Sequence, residues 1–132
     1  MTNPDIRYLV SLLDLVGSRV ETHVGGPMQA LTALSLGATG YLSSEANVAP
    51  KLAMSVIEHW KAGDLAKLCD AFSRLLRLFN AGMSYGGAKS ANRLLGVPGG
   101  YPRRPRLPAS EKALQAFAKV LDELEIKEIE GL

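Results

Sequence analysis

Near the start of the chain, apolar residues recur at helical spacing. Ile6, Leu9, Val10, Leu13 and Val16 form one stripe, and Gly17 ends it. Asn3, Pro4 and Asp5 precede the stripe as an N-cap, a proline that the first turn tolerates and an acid favoured by the helix dipole. From Arg19 to Val24 the period shortens to the alternation of a strand, with β-branched Val20, Thr22 and Val24. Gly25, Gly26 and Pro27 then predict a strand-to-helix turn, and Met28 to Leu36 a short helix closed by Gly37. Gly37 and Gly40 bracket Ala38 and Thr39, so the chain can turn into a second short strand from Tyr41 to Ser43. Ser44, Glu45 and Asn47 make a polar turn, and Pro50 falls in the first turn of a helix from Val48 to Ala62 whose Leu52, Val56 and Trp60 face inward.

The second half is helical in pattern throughout. Gly63 stops one helix and Asp64 caps the next, in which Leu65, Leu68, Cys69, Phe72, Leu75, Leu76 and Phe79 recur three and four residues apart. The run NAGMSYGG breaks that helix, and another is expected from Ala88 to Leu95. Between Val97 and Pro108, the residues Pro98, Gly99, Gly100, Pro102 and Pro105 leave no room for a regular element. Ser110 caps a last amphipathic helix through Leu124, with Leu114, Phe117, Val120, Leu121 and Leu124 inward, and a charged tail follows. The order is helix, strand–helix, strand–helix and three further helices, an α/β class. Two buried strands need neighbours at both edges and cover on both faces. The pattern therefore predicts either pairing with another chain or the back end of a longer β/α protein.

Composition narrows the partners. The chain has 132 residues, of which 47% are hydrophobic and 21% charged, values of a globular domain. Fifteen basic against 13 acidic residues give a net charge of +2, too small a field to argue for nucleic acid or an anionic membrane. No apolar run approaches the roughly 18 residues of a membrane span, and MTNPDIRYLV lacks the basic start of a secretory signal, so a cytoplasmic protein is expected. Cys69 is single, cannot form an internal disulfide, and reads as a small core residue.

In parallel α/β folds the turn beyond the C-terminal end of a strand is where ligands bind, so Ser44 to Asn47 is the first place to look for chemistry. Ser44 and Asn47 could hold a carboxylate or cap the following helix, the cap being favoured for Asn47. Glu45 suits the helix N-terminus better than substrate orientation. Gly25 and Gly26 could bring bare backbone amides to an anion, or serve the turn alone. His23 is the acid/base candidate by residue type, yet alternation puts it on the face opposite Thr22 and Val24 with no partner in a motif. His59 reads as surface. Arg103, Arg104 and Arg106 form the one basic cluster, set among prolines, and suit contact with acidic surface or a neighbouring subunit more than nucleic acid. No metal-ligand spacing or cofactor motif is present.

GATGYLSSEANVAP, with THVGGPMQALTALSLG upstream and WKAGD and AKSANRLLGVPGGYPRRPRLP downstream, resembles the C-terminal half of the dihydrodipicolinate synthase and N-acetylneuraminate lyase family, from about Asp5 to Leu124. The resemblance implies the C-terminal part of a (β/α)8 barrel followed by a helical extension. Arg19 to Val24 then stands as strand 7 and Tyr41 to Ser43 as strand 8. Residues 1–62 would be the last βα units and residues 63–132 the extension. Members are lyases that form a Schiff base between a lysine and a 2-oxo acid such as pyruvate, with no cofactor. Gly25 corresponds to the family glycine beyond strand 7 that approaches substrate. Leu42 corresponds to the residue whose carbonyl lies near the catalytic lysine, and Ser44 to a substrate-binding serine of the sugar-acid lyases. Pro27 and Met28 stand where those lyases carry acids for sugar hydroxyls, which points away from sialic acid. By this register the lysine of strand 6 would fall just before Met1 and the activating tyrosine earlier still. The resemblance therefore implies a partial lyase, inactive alone and without a catalytic residue of its own. The alternative is a non-enzymatic half-barrel that pairs with itself or with a separate N-terminal half.

Overall fold

The computed structural model of the chain describes residues 3–17, 19–83 and 87–132. They form two compact units that divide between Ser43 and Ser44.

The first unit holds α1 (Ile6–Val16), β1 (His23–Gly25), a 3-10 turn (Pro27–Gln29), α2 (Ala30–Ser35) and β2 (Gly40–Leu42). Asp5, not Asn3, caps α1: its Oδ1 accepts the Arg7 N–H at 2.9 Å, while Asn3 Oδ1 accepts the Asp5 N–H at 2.9 Å. β1 and β2 pair in parallel with His23 opposite Gly40, Val24 opposite Tyr41 and Gly25 opposite Leu42.

The first strand is shorter than the alternation from Arg19 predicts. The Arg19 and Val20 N–H groups donate back to the Val16 carbonyl at 2.8 and 3.1 Å, so these residues still belong to the exit of α1. Gly25, expected in the turn, is the last ladder residue, and β2 starts one residue before Tyr41 and leaves Ser43 out. The sheet ends where Gly26 donates to the Leu42 carbonyl at 2.7 Å and adopts φ 86, ψ 163, an extended positive-φ conformation open essentially to glycine alone. Val24 and Tyr41 pack with Leu9, Leu13, Ala33 and Ala38 into the core of this unit. Thr22 and Val24 are buried and His23 is half-buried, as the alternation requires. The expected helix from Met28 to Leu36 opens instead with the 3-10 turn at Pro27 and is α-helical only over Ala30–Ser35.

The second unit holds a 3-10 turn (Glu45–Asn47), α3 (Pro50–Ala62), α4 (Leu65–Leu78), a π-helical turn (Phe79–Met83), α5 (Gly87–Leu94), α6 (Glu111–Glu123) and α7 (Ile126–Glu130). Gly63 at φ 70 reverses the chain after α3, and Asp64 caps α4 by accepting the Lys67 N–H at 3.1 Å. α3 and α4 pack on each other, and α7 packs on α3 and α6. Leu52, Ala53 and Val56 carry the buried face of α3, with Trp60 only half-buried.

On α4 the buried residues are Leu68, Ala71, Leu75 and Leu78. Cys69 is exposed and Leu65 is 68% exposed, so Cys69 is not the core residue its spacing suggested. The apolar pattern of α4 spans more than one face, and the packed side is centred on Ala71, a residue too small to stand out in the pattern. Part of the NAGMSYGG break, residues 84–86, lies outside the described residues. Residues 95–110 carry no helix or strand, as their prolines and glycines predict, and Ser110 caps α6 by accepting the Ala113 N–H at 3.3 Å. The tail is not a loose charged end. It forms α7, with Ile126 and Glu130 buried.

Candidate functional site

Two of the three residues singled out for substrate contact meet at the end of the sheet. Gly25 and Leu42 are register partners, and both are exposed, Leu42 to 68%. The Leu42 carbonyl accepts the Gly26 N–H, so one of its two lone pairs is committed to the sheet and the other remains available. Beside them the His23 ring lies over Gly40: a Cβ there would come within 3.1 Å of His23 Cδ2, so any larger residue would press the ring aside by a few tenths of an ångström.

Ser44 opens the second unit, in the polar turn. It is exposed, and its Oγ donates to Glu45 Oε1 at 2.7 Å instead of capping the turn. Its carbonyl accepts both the Asn47 N–H at 3.2 Å and Asn47 Nδ2 at 3.0 Å. Asn47 is therefore not the helix cap expected from its position, since its amide is turned back on Ser44 and the residue preceding α3 is Ala49. Glu45 is fully buried, and its carbonyl accepts the Val48 and Ala49 N–H groups at 2.8 Å each. A buried carboxylate that holds a serine hydroxyl fixes the rotamer of that serine. The turn is thus a closed hydrogen-bonded knot that presents Ser44 outward.

The start of α3 is capped from a distance. Glu130 on α7 accepts the Lys51 N–H through Oε2 and the Leu52 N–H through Oε1, both at 3.0 Å, and Lys51 Nζ donates to the Glu130 carbonyl at 2.5 Å. Sequence reading missed this, because the partners lie 79 and 78 residues apart. All seven lysines, at positions 51, 61, 67, 89, 112, 119 and 127, are exposed. His59 is half-buried beside Lys67, Asp70 and Arg74 in a groove of about 560 Å³. Among the described residues no cluster of His, Cys, Asp or Glu could hold a metal ion, and no helix is long and apolar enough to cross a membrane.

The sequence profile of the dihydrodipicolinate synthetase family matches residues 1–124. The chain belongs to that family. A 4-hydroxy-tetrahydrodipicolinate synthase of Anaeromyxobacter dehalogenans is 33% identical over 117 residues, which cover 86% of this chain and 39% of that one. An L-threo-3-deoxy-hexylosonate aldolase of Aspergillus niger is 33% identical over 103 residues, 74% of this chain and 30% of the other. Among solved structures, YagE of E. coli K12, a prophage protein of the dihydrodipicolinic acid synthase family in complex with pyruvate, superposes with a TM-score of 0.81 at 22% identity, over 95% of this chain and 45% of YagE. The chain spans less than half the length of these relatives. Its membership in the dihydrodipicolinate synthetase family joins it to enzymes that include both a synthase and an aldolase, and its fold is shared with a protein that binds pyruvate.

Proposed function

We propose that this chain is the C-terminal part of a Schiff-base lyase that acts on pyruvate or a related 2-oxo acid. In this reading β1 and β2 are strands 7 and 8 of a (β/α)8 barrel, residues 1–62 are its last βα units and residues 63–132 its helical extension. By the family likeness Gly25, Leu42 and Ser44 each stand at a position that meets substrate, and the nucleophile comes from elsewhere. The observation that carries the reading is the exposure of every lysine. A Schiff-base lysine must be shielded from water to lose its proton near neutral pH and attack a carbonyl, and none of the seven is shielded. In the complete enzyme the lysine would displace the carbonyl oxygen as water. In the forming direction the resulting iminium would lose a proton to give an enamine that attacks an aldehyde; in the cleaving direction the iminium of the longer 2-oxo acid would break its carbon–carbon bond, releasing the aldehyde and leaving the enamine. This chain contributes wall and orientation to that sequence, with the Gly25 backbone open to close approach and the Ser44 hydroxyl held by Glu45. The likeness to the synthase and the aldolase supports the lyase class and leaves the second substrate open. The reading implies a cytoplasmic protein and an assembly with its own copies or with a partner half. The purified chain is expected to show no turnover of pyruvate with an aldehyde acceptor, and measurable turnover would overturn the reading.

A second reading has an observation of its own. Among the described residues the two-stranded sheet leaves both outer edges without a neighbour, and Ile6, Tyr8 and Leu15 of α1 are 48–69% exposed. Such a unit suits a non-enzymatic half-barrel that pairs with a copy of itself. Light scattering on the purified chain tests this second reading: a monomer removes it, whereas a dimer is compatible with both readings and leaves the absence of turnover to be tested separately.

A further inference from the structure

Charge is segregated along this chain in a way the lyase reading does not use. Residues 71–110 contain seven basic residues and no acidic one. Arg74 and Arg77 find partners outside that stretch, in Asp70, Glu125 and Glu123. Lys89, Arg103, Arg104 and Arg106 instead converge, with Pro102 and Pro105 between them, on one concavity of about 360 Å³. No acid lines it. Four cations around one hollow repel each other, and the cost falls when an anion binds.

The loop that carries the arginines is fastened to α5 at three points. Lys89 Nζ donates to the Tyr101 carbonyl at 2.9 Å, the Arg93 guanidinium stacks 4.3 Å from the Tyr101 ring centroid, and a Cβ on Gly99 would run into the Lys89 carbonyl. Prolines and a turn closed by the Arg106 N–H donating to the Arg103 carbonyl at 3.2 Å hold the remainder. Among the described residues no ion pair reaches Arg103 or Arg104. Lys89 keeps ammonium donors beyond the one spent on Tyr101.

The geometry points to a binding site for a small phosphoryl compound in this concavity, independent of the pocket proposed above. A guanidinium presents donors in a planar fork that meets two oxygens at once. The guanidinium groups of Arg103 and Arg104 with the Lys89 ammonium already offer more donors and charge than one carboxylate can use. A phosphoryl group, with up to two negative charges and three terminal oxygens, matches them better. Because the site is open, binding is weak and salt-dependent.

Calorimetric titration of the 132-residue chain with inorganic pyrophosphate at low salt tests this, with citrate as the carboxylate competitor. Saturable binding is expected, weakened about tenfold or more in R103A/R104A and several-fold in K89Q, and unchanged in K112Q on α6. The double variant lies in an exposed loop, so its circular dichroism and thermal midpoint should match those of the parent. Absent binding, binding that R103A/R104A leaves intact, or preference for citrate would each overturn the assignment. So would capture by anionic phospholipid vesicles with no heat from pyrophosphate.

Discussion

Glu130 and Lys51 lie 79 residues apart and hold each other at both ends: the Lys51 N–H donates to the Glu130 carboxylate, and Lys51 Nζ donates to the Glu130 carbonyl. With the Leu52 N–H as a second backbone donor, one buried side chain on the last helix completes the first turn of α3. Helix starts leave N–H groups without intrahelical partners, and a carboxylate there also meets the positive end of the helix dipole. The turn bearing Ser44 runs directly into that helix start. The far end of the chain therefore helps to fix the polar turn.

Replacing Glu130 with alanine leaves two N–H groups without their acceptor at the start of α3. A loss of about 2–3 kcal/mol is expected in urea denaturation of the chain. Lys51→Met, which keeps the N–H and removes only the part-buried ammonium contact, should cost about 1 kcal/mol. Equal losses in the two variants would contradict the capping account.

The Asp64 carboxyl is held below the usual carboxylate range, first by the Lys67 N–H it caps and then by the Lys67 ammonium. A carboxylate whose folded pKa is lowered contributes stability in full above its unfolded value of 3.8, and that contribution fades as pH falls through the lower folded value. The thermal midpoint should therefore drop in the acid range below about pH 4 more steeply in the parent than in Asp64→Asn, which caps without titrating. Parallel curves would remove the ion from the account.

Arg74 ties α4 to the corner between α6 and α7. Its guanidinium donates to Glu125 Oε2 at 2.7 Å, to the Leu124 carbonyl at 3.2 Å and to Asp70 Oδ2 at 3.0 Å. These partners raise its pKa, the Glu125 hydrogen bond most. Arg74→Lys keeps the charge but cannot span three acceptors. It is expected to lose about 1 kcal/mol, a loss that 1 M salt only partly screens, because the Leu124 bond is not an ion pair.

Gly26 and Gly25 are adjacent but not equivalent. Gly26 stands at φ 86 at the end of the sheet, whereas Gly25 does not have a positive φ. Gly26→Ala should lose about 1–3 kcal/mol through backbone strain alone. Gly25→Ala carries no such strain and should lose less, and a reversed order would contradict the assigned turn.

What the sequence made legible was local. Gly63 and Asp64 mark a helix stop and the next start within two residues, and Ser110 and the prolines of residues 97–108 are equally self-contained signals. The two short strands could be placed only to within a few residues, because pairing sets their ends: Arg19 and Val20 are drawn back into α1 by a carbonyl that no strand pattern reveals. Cys69 and Asn47 went astray for one reason. Helical spacing and cap preference describe what a residue can do alone, whereas the packed face of α4 and the Ser44 carbonyl decided what each does here. The Glu130 contact was beyond reach, because no local rule links the last helix to the first turn of α3. The Gly25, Leu42 and Ser44 positions came from family likeness. Their local chemistry, especially the buried Glu45 behind Ser44, came from the fold.

The central claim is that this chain walls a 2-oxo acid pocket without supplying the nucleophile. Borohydride reduction of the purified chain in the presence of pyruvate, read by intact mass and peptide mapping, tests it most directly. The account predicts no covalent adduct on any of the seven lysines, under conditions that label a complete family enzyme. A reduced pyruvyl adduct on one of them would contradict it.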